Sequence, residues 1–162
     1  MKNIKLLSII VLTLIILTGC SKKPASMKDF ANLMKDKNIS IYDVTDIYGY
    51  AKKAYKTDSE DYQVLFVESK NLKDMQGVFL DEVKNIYGFS GIATKSSDIE
   101  DIDKDSSEIQ PNVQSGKSWG RVEIETEDNY YYVSYIENTM LLIIGNKDNA
   151  NMLKEIKNAM KY

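Results

Sequence analysis

The sequence contains no histidine, and its one cysteine is Cys20 near the N-terminus. Histidine is the usual general base beside a nucleophilic serine or cysteine, so a catalytic triad of either kind is excluded. The histidine and cysteine ligands of zinc sites are missing as well, and a single cysteine cannot form an intramolecular disulfide. The fold must therefore be stabilised by packing, and we expect no metal site and no cofactor.

A surplus of positive charge is also missing. The 162 residues carry 21 lysines and arginines against 24 aspartates and glutamates, a net charge of −3, and Arg121 is the one arginine. Proteins that bind nucleic acids neutralise phosphates with clustered basic side chains. The composition therefore argues against a nucleic-acid partner, and the length predicts a single domain with a substantial core.

The first twenty residues have the pattern of an export signal. Lys2 and Lys5 precede an apolar run of thirteen residues, 6–18, which is shorter than the roughly 20 residues of a membrane-spanning helix. The run ends in Leu-Thr-Gly-Cys at 17–20. This resembles the lipobox of bacterial lipoproteins, which implies that residues 1–19 are removed and that the Cys20 thiol carries a diacylglycerol. The resemblance predicts a protein anchored in membrane lipid on the extracytoplasmic face of the cell membrane.

The remainder of the chain predicts an α+β fold with an antiparallel sheet. After a short tether at 20–26, apolar residues at helical spacing predict helices over 27–37, after Ser69 and after Asp148 or Asn149. Residues 119–127, 130–136 and 139–144 predict a three-strand meander, with two-residue turns at Asp128-Asn129 and Glu137-Asn138. A single domain over 27–162 is expected.

A long acidic loop is predicted at about 89–118. Asp101, Asp103 and Asp105 alternate there, as at the start of a calcium loop. However, Ser106 stands where such a loop needs its turn glycine, and Asn112 stands where it needs a bidentate glutamate. We therefore interpret the segment as a solvated, partly disordered loop that holds no metal.

The alternation in the meander predicts two sheet faces. Val122, Ile124, Val133 and Leu142 lie on the face predicted to be the core. The other face is unusually apolar, so either a helix covers it or it forms a contact surface. The candidate ligand or partner surface combines apolar residues of this second face with the single tryptophan. It consists of Trp119, Tyr130, Tyr132, Leu141 and Ile143. The number of amphipathic helices favours a covering helix.

The mature part resembles small uncharacterised lipoproteins of Gram-positive bacteria. The matching features are a helix centred on Phe30, Tyr-Asp-Val-Thr at 42–45, Tyr-Gln-Val-Leu-Phe at 62–66 and Val-Ser-Tyr-Ile-Glu-Asn-Thr at 133–139. The resemblance implies no activity and no ligand. Since no motif frames a catalytic carboxylate pair, we expect a non-catalytic binding or interaction module of the cell envelope with a protein partner. The alternative is a small-ligand or glycan binder that uses the tryptophan and tyrosine surface.

Overall fold

A computed structural model describes residues 24–90, 112–116 and 118–162, in which an antiparallel sheet carries helices on both faces. The predicted α+β class, with its C-terminal meander and three helices, is confirmed. The helices are α1 (Met27–Asp36), α2 (Leu72–Ser90) and α3 (Ala150–Ala159). The strands are β1 (Ile41–Asp43), β2 (Ala51–Thr57), β3 (Tyr62–Ser69), β4 (Asn112–Gly116), β5 (Trp119–Glu125), β6 (Asn129–Ile136) and β7 (Thr139–Asn146).

Side-chain caps define where α1 and α2 begin. Ser26 and Asp29 form the capping box predicted for α1: each side chain accepts a hydrogen bond from the other residue's backbone amide. Helix α2 begins later than predicted, because Asn71 and not Ser69 accepts the hydrogen bond from the Asp74 amide, at 2.9 Å. The cap therefore lies two residues further along the chain, and Ser69 ends β3.

The sheet order is β1-β2-β3-β7-β6-β5-β4, and every neighbouring pair is antiparallel. The predicted turn at Glu137-Asn138 is confirmed, and Glu137 has the positive φ of 55° that such a turn needs. The turn predicted at Asp128-Asn129 is wrong by one residue. The Thr126 amide donates to the Asn129 carbonyl at 2.9 Å, so Glu127-Asp128 is the turn and Asn129 begins β6.

The predicted faces of the meander are nevertheless correct. Val122 pairs with Val133, which pairs with Leu142, and all three side chains are buried. Helix α2 covers this face. Gly120 permits the close contact, since a Cβ there would lie 2.7 Å from a ring carbon of Tyr135 and 3.0 Å from one of Phe79.

A second core lies on the opposite face beneath α1 and α3. Phe30 of α1 stacks on Phe66 of β3 with 5.4 Å between ring centroids, and the Tyr162 ring meets Phe66 edge-on at 6.1 Å. Leu153 and Ile156 of α3 are fully buried in the same cluster. The molecule is thus a three-layer sandwich, with one sheet between two separate cores.

The predicted loop at 89–118 needs correction at both margins. Helix α2 extends to Ser90, and residues 112–116 form β4 along the open edge of β5. The sequence signal for β4 is weak, because Val113 is its one β-branched residue and the pairing comes from the neighbouring strand. The acidic residues 98–108 lie outside the described residues. The prediction that they bind no calcium therefore stays a prediction.

Candidate functional site

Four of the five residues proposed as an exposed surface are buried. Tyr130, Tyr132, Leu141 and Ile143 each have 0% of their surface exposed. The contact-surface interpretation is therefore wrong for these four, because α1 and α3 need a surface to bury their apolar stripes and this sheet face supplies it. The covering helix, which the sequence favoured, is what the structure contains.

The edge of this buried face is lined by a polar cluster between β5 and α3. The Tyr130 hydroxyl donates to Glu123 Oε1 at 2.8 Å, and Lys157 Nζ donates to the same oxygen at 2.7 Å. Lys157 also lies 5.1 Å from the centroid of the Tyr132 ring. One turn earlier in α3, Lys154 bonds Glu125 at 2.7 Å. These contacts fix α3 to the sheet through cation–π and charge-assisted hydrogen bonds.

The electrostatics of the cluster do not suit proton transfer. Burial by itself raises the pKa of Glu123, but the hydrogen bonds from Lys157 and Tyr130 lower it by a larger amount. The pKa of Glu123 therefore lies below the ordinary value. Hydrogen bonds from Lys147 and Lys154 lower the pKa of Glu125 to about 2. A general acid must hold its proton near neutral pH, and these two carboxylates are ionised there. The geometry is that of a structural ion-pair network.

Trp119 is the one member of the proposed surface that remains accessible, with 40% of its surface exposed. It begins β5 and pairs with Gly116 of β4 and Ile136 of β6. Its side chain is on the same face as Arg121 and Glu123. The aromatic surface that the sequence suggested is thereby reduced to one exposed ring.

A second exposed apolar side chain, Ile47, was not identified from the sequence. It ends the short 3-10 turn Thr45–Ile47 between β1 and β2, and 74% of its surface is exposed. The turn is held by the Ile47 amide, which donates to the Val44 carbonyl at 3.0 Å, and by Val44, which is buried in the α2 core. The sequence signal was an isoleucine that belongs to neither a strand nor a helical stripe.

Ile47 and Trp119 lie at the same end of the sheet, which we call the Trp119 end. Ile136 pairs with Trp119 there, while β3 and β7 meet through Glu68 and Thr139. Strand β2 also begins at this end, because Ala51 pairs with Ser69. The turn that carries Ile47 precedes β2 by three residues, and the Ala51 amide donates to the Tyr48 carbonyl at 2.8 Å. Four strand spacings of about 4.8 Å, or roughly 19 Å, separate β2 from β5.

The N-terminal turn of α1 lies towards the same end. Strand β1 begins at the opposite end, where Ile41 pairs with Thr57 and the Asp58 amide donates to the Ser40 carbonyl at 3.0 Å. Helix α1 therefore finishes at that opposite end and begins towards the Trp119 end. Phe30, in the first turn of α1, stacks on Phe66 near the middle of β3.

Cys20 lies outside the described residues, so its lipidation stays a prediction. Among residues 24–90, 112–116 and 118–162, no three acidic, histidine or cysteine side chains are grouped so as to hold a metal ion. Within the same residues, no helix combines the length and the apolar character needed to cross a membrane.

Comparisons with known proteins show no family. No protein-family model matches the chain. No curated protein matches it either. Among solved structures, it is similar to a GTP-binding regulator from Thermotoga maritima, with 11% sequence identity, a TM-score of 0.39, and coverage of 83% of this chain and 84% of the other. A likeness at that level carries no functional argument.

Proposed function

We propose that this chain is a lipid-anchored extracytoplasmic protein whose folded domain acts as a non-catalytic binding or interaction module of the cell envelope. The observation that carries the proposal is the Leu-Thr-Gly-Cys pattern at 17–20, directly after a short apolar run with lysines before it. Two or three acyl chains on Cys20 would give an anchor that does not readily reverse, since each buried methylene contributes about 0.8 kcal/mol.

The folded domain is compatible with such an anchor. Helix α1 begins with a capping box at Ser26, six residues after Cys20, so the tether between lipid and domain is short. Lys22 and Lys23 in this tether would favour anionic headgroups, although two lysines contribute little.

A binding role is favoured over catalysis by the side chains available. Without histidine, and with Cys20 committed to the lipid, general-acid catalysis would need a carboxylate that holds a proton near neutral pH. Glu123 and Glu125, which bond the lysines of α3, have lowered pKa values. Burial raises the pKa of Glu82 on α2, but this glutamate accepts a hydrogen bond from Asn85 and stands in no catalytic motif. The alternative function, a small-ligand or glycan binder, relied on five aromatic and apolar residues, of which Trp119 alone is exposed.

The anchor is tested by Cys20→Ser. Cells that express the wild-type chain should incorporate a clickable palmitate analogue into it, and mass spectrometry should find the N-terminal peptide beginning at a diacylglyceryl Cys20. The serine variant should show neither modification nor cleavage, because a hydroxyl cannot form the thioether. The matched control is Ser21→Ala, which keeps the thiol and should be labelled like the wild type. Equal label in wild type and Cys20→Ser would refute the proposal.

A further inference from the structure

We propose that the Trp119 end of the sheet lies against the membrane, with Ile47 and Trp119 inserted into the bilayer interface. The inference rests on the proposed function, because the lipid on Cys20 supplies the anchor. It adds an orientation: one end of the sandwich is a membrane-contacting surface, while the opposite end faces away from the bilayer.

The position of the tether limits how the domain can lie. Six residue steps separate Cys20 from Ser26, and an extended chain covers at most about 3.6 Å per residue, so the start of α1 stays within roughly 22 Å of the lipid attachment. Helix α1 begins towards the Trp119 end and packs over β2 and β3. The anchor therefore joins the domain on the side of the Trp119 end, and this is the end that meets the bilayer in the orientation we propose.

The exposed apolar side chains at this end have the chemistry of an interfacial contact. Ile47 is 74% exposed and Trp119 is 40% exposed. Tryptophan is enriched where a protein meets lipid headgroups, because its ring is apolar and its N–H still reaches water or a headgroup. Ile47 lies near the β1 edge of the sheet and Trp119 lies near the β4 edge. These two contacts and the tether would together fix the tilt of the domain on the membrane.

The opposite end of the sheet is acidic. Its turns contain Asp58, Glu60 and Asp61 between β2 and β3, and Glu127-Asp128 between β5 and β6. A membrane surface that carries anionic lipids would repel such an end. Charge therefore favours the same orientation as the tether.

Charge at the Trp119 end itself is mixed. Exposed Lys28 and Lys70 are offset there by exposed Asp46 and Glu137. A purely electrostatic contact would need a basic surplus, so the contact we propose depends on apolar insertion. It should therefore form on zwitterionic bilayers and should persist when salt is raised.

The test uses Trp119 as its own probe, since the chain contains no other tryptophan. The full-length protein, expressed with its signal sequence and purified in detergent, is reconstituted into phosphatidylcholine vesicles whose acyl chains are brominated near the headgroup. Bromine quenches tryptophan by contact. We expect a blue-shifted Trp119 emission that brominated lipid quenches, at low salt and at high salt alike.

Two substitutions provide matched controls. Ile47→Ser should weaken the quenching of Trp119, because it removes one of the two inserted side chains. Leu80→Ser, which alters an exposed leucine on the outer surface of α2, should leave it unchanged. The double variant Trp119→Phe/Glu60→Trp moves the probe to the opposite end and should show no quenching. Circular dichroism checks that each variant is folded.

The outcomes separate this inference from the proposed function. Mass spectrometry of the same sample establishes whether Cys20 is lipidated; if it is not, both the proposed function and the orientation fail. If Cys20 is lipidated but Trp119 is quenched by aqueous acrylamide and not by brominated lipid, the orientation alone is wrong, and the surface is left open to a protein or glycan. Equal quenching of tryptophan at positions 119 and 60 would also overturn it.

Discussion

At the scale of single residues, the distances to neighbouring side chains show which glycines the packing requires, and the periodicity of the sequence does not. Gly120 and Gly77 are indistinguishable as sequence signals, since each is a glycine inside a regular element. In the structure, a Cβ on Gly120 would lie 2.7 Å from Tyr135 and 3.0 Å from Phe79, whereas nothing lies within 4 Å of one on Gly77. Gly120 is therefore required for the packing of α2 on the sheet, and Gly77 is not.

The two glycines predict alanine substitutions with opposite effects. Gly120→Ala should lower the free energy of unfolding, on the order of 1–3 kcal/mol, because the added methyl group overpacks the α2 core. Gly77→Ala should raise it by about 0.5–1 kcal/mol, since alanine loses less backbone entropy than glycine in an exposed helix interior. Urea denaturation of the two variants and the wild type measures both. A neutral Gly120→Ala would mean that α2 is packed less closely than described.

In the candidate site too, the sequence predicts the face on which a residue lies but does not predict its exposure. The pattern placed Tyr132 and Trp119 on one face, which is correct, but it could not tell which parts of that face α1 and α3 cover. Exposure depends on where the helices cross, and that is a property of the tertiary structure. Ile47 was missed because its exposure comes from a turn, where hydrophobic periodicity carries no information.

At the scale of elements, the register of the meander was predictable even where a turn was not. A turn at Asp128-Asn129 would pair Glu127 with Tyr130, whereas the structure pairs Glu125 with Tyr130. The difference is two residues, and a two-residue shift keeps each side chain on its face because strands alternate with a period of two. A one-residue shift would have exchanged the two cores.

Strand β4 and the start of α2 were not predictable in the same way. The residues of β4 have little β-propensity, and their pairing is supplied by the edge of β5. Ser69 and Asn71 are both good capping residues, so the sequence allowed either to begin α2. The choice is made by β3, whose last residue is Ser69. In both cases a neighbouring element determines the outcome.

Burial of both sheet faces predicts equal sensitivity of adjacent leucines in β7. Leu141 faces α1 and α3 and is 0% exposed, while Leu142 faces α2 and is 1% exposed. Leu141→Ala and Leu142→Ala should each lower the free energy of unfolding by about 2–5 kcal/mol, through lost burial and a cavity. Thermal or urea denaturation measures this, and Leu80→Ala on the exposed side of α2 is the matched control. A near-neutral Leu141→Ala would show that the second face is uncovered.

At the scale of the whole molecule, one sheet serves two cores that do not contact each other directly. Successive residues of β3 illustrate the arrangement: Leu65 and Val67 enter the α2 core, while Val64 and Phe66 enter the core beneath α1 and α3. Strands β6 and β7 alternate in the same way. Neither helical layer can lose its partner surface without disturbing the strands that support the other layer.

This sharing predicts that the two layers unfold in one transition. Phe30→Ala weakens the α1 layer and Met75→Ala weakens the α2 layer; both side chains are 0% exposed, and each change should cost about 2–5 kcal/mol. In each variant, the urea midpoint from Trp119 fluorescence, which reports on β5, should coincide with the midpoint from far-UV circular dichroism, which reports chiefly on the helices. Tyr42→Ala on the exposed side of β1 controls for loss of an aromatic ring and should change the midpoint little. If Phe30→Ala instead lowers the circular dichroism midpoint while the Trp119 midpoint stays at its wild-type value, then α1 detaches separately. The sheet with α2 would then be an independent folding unit.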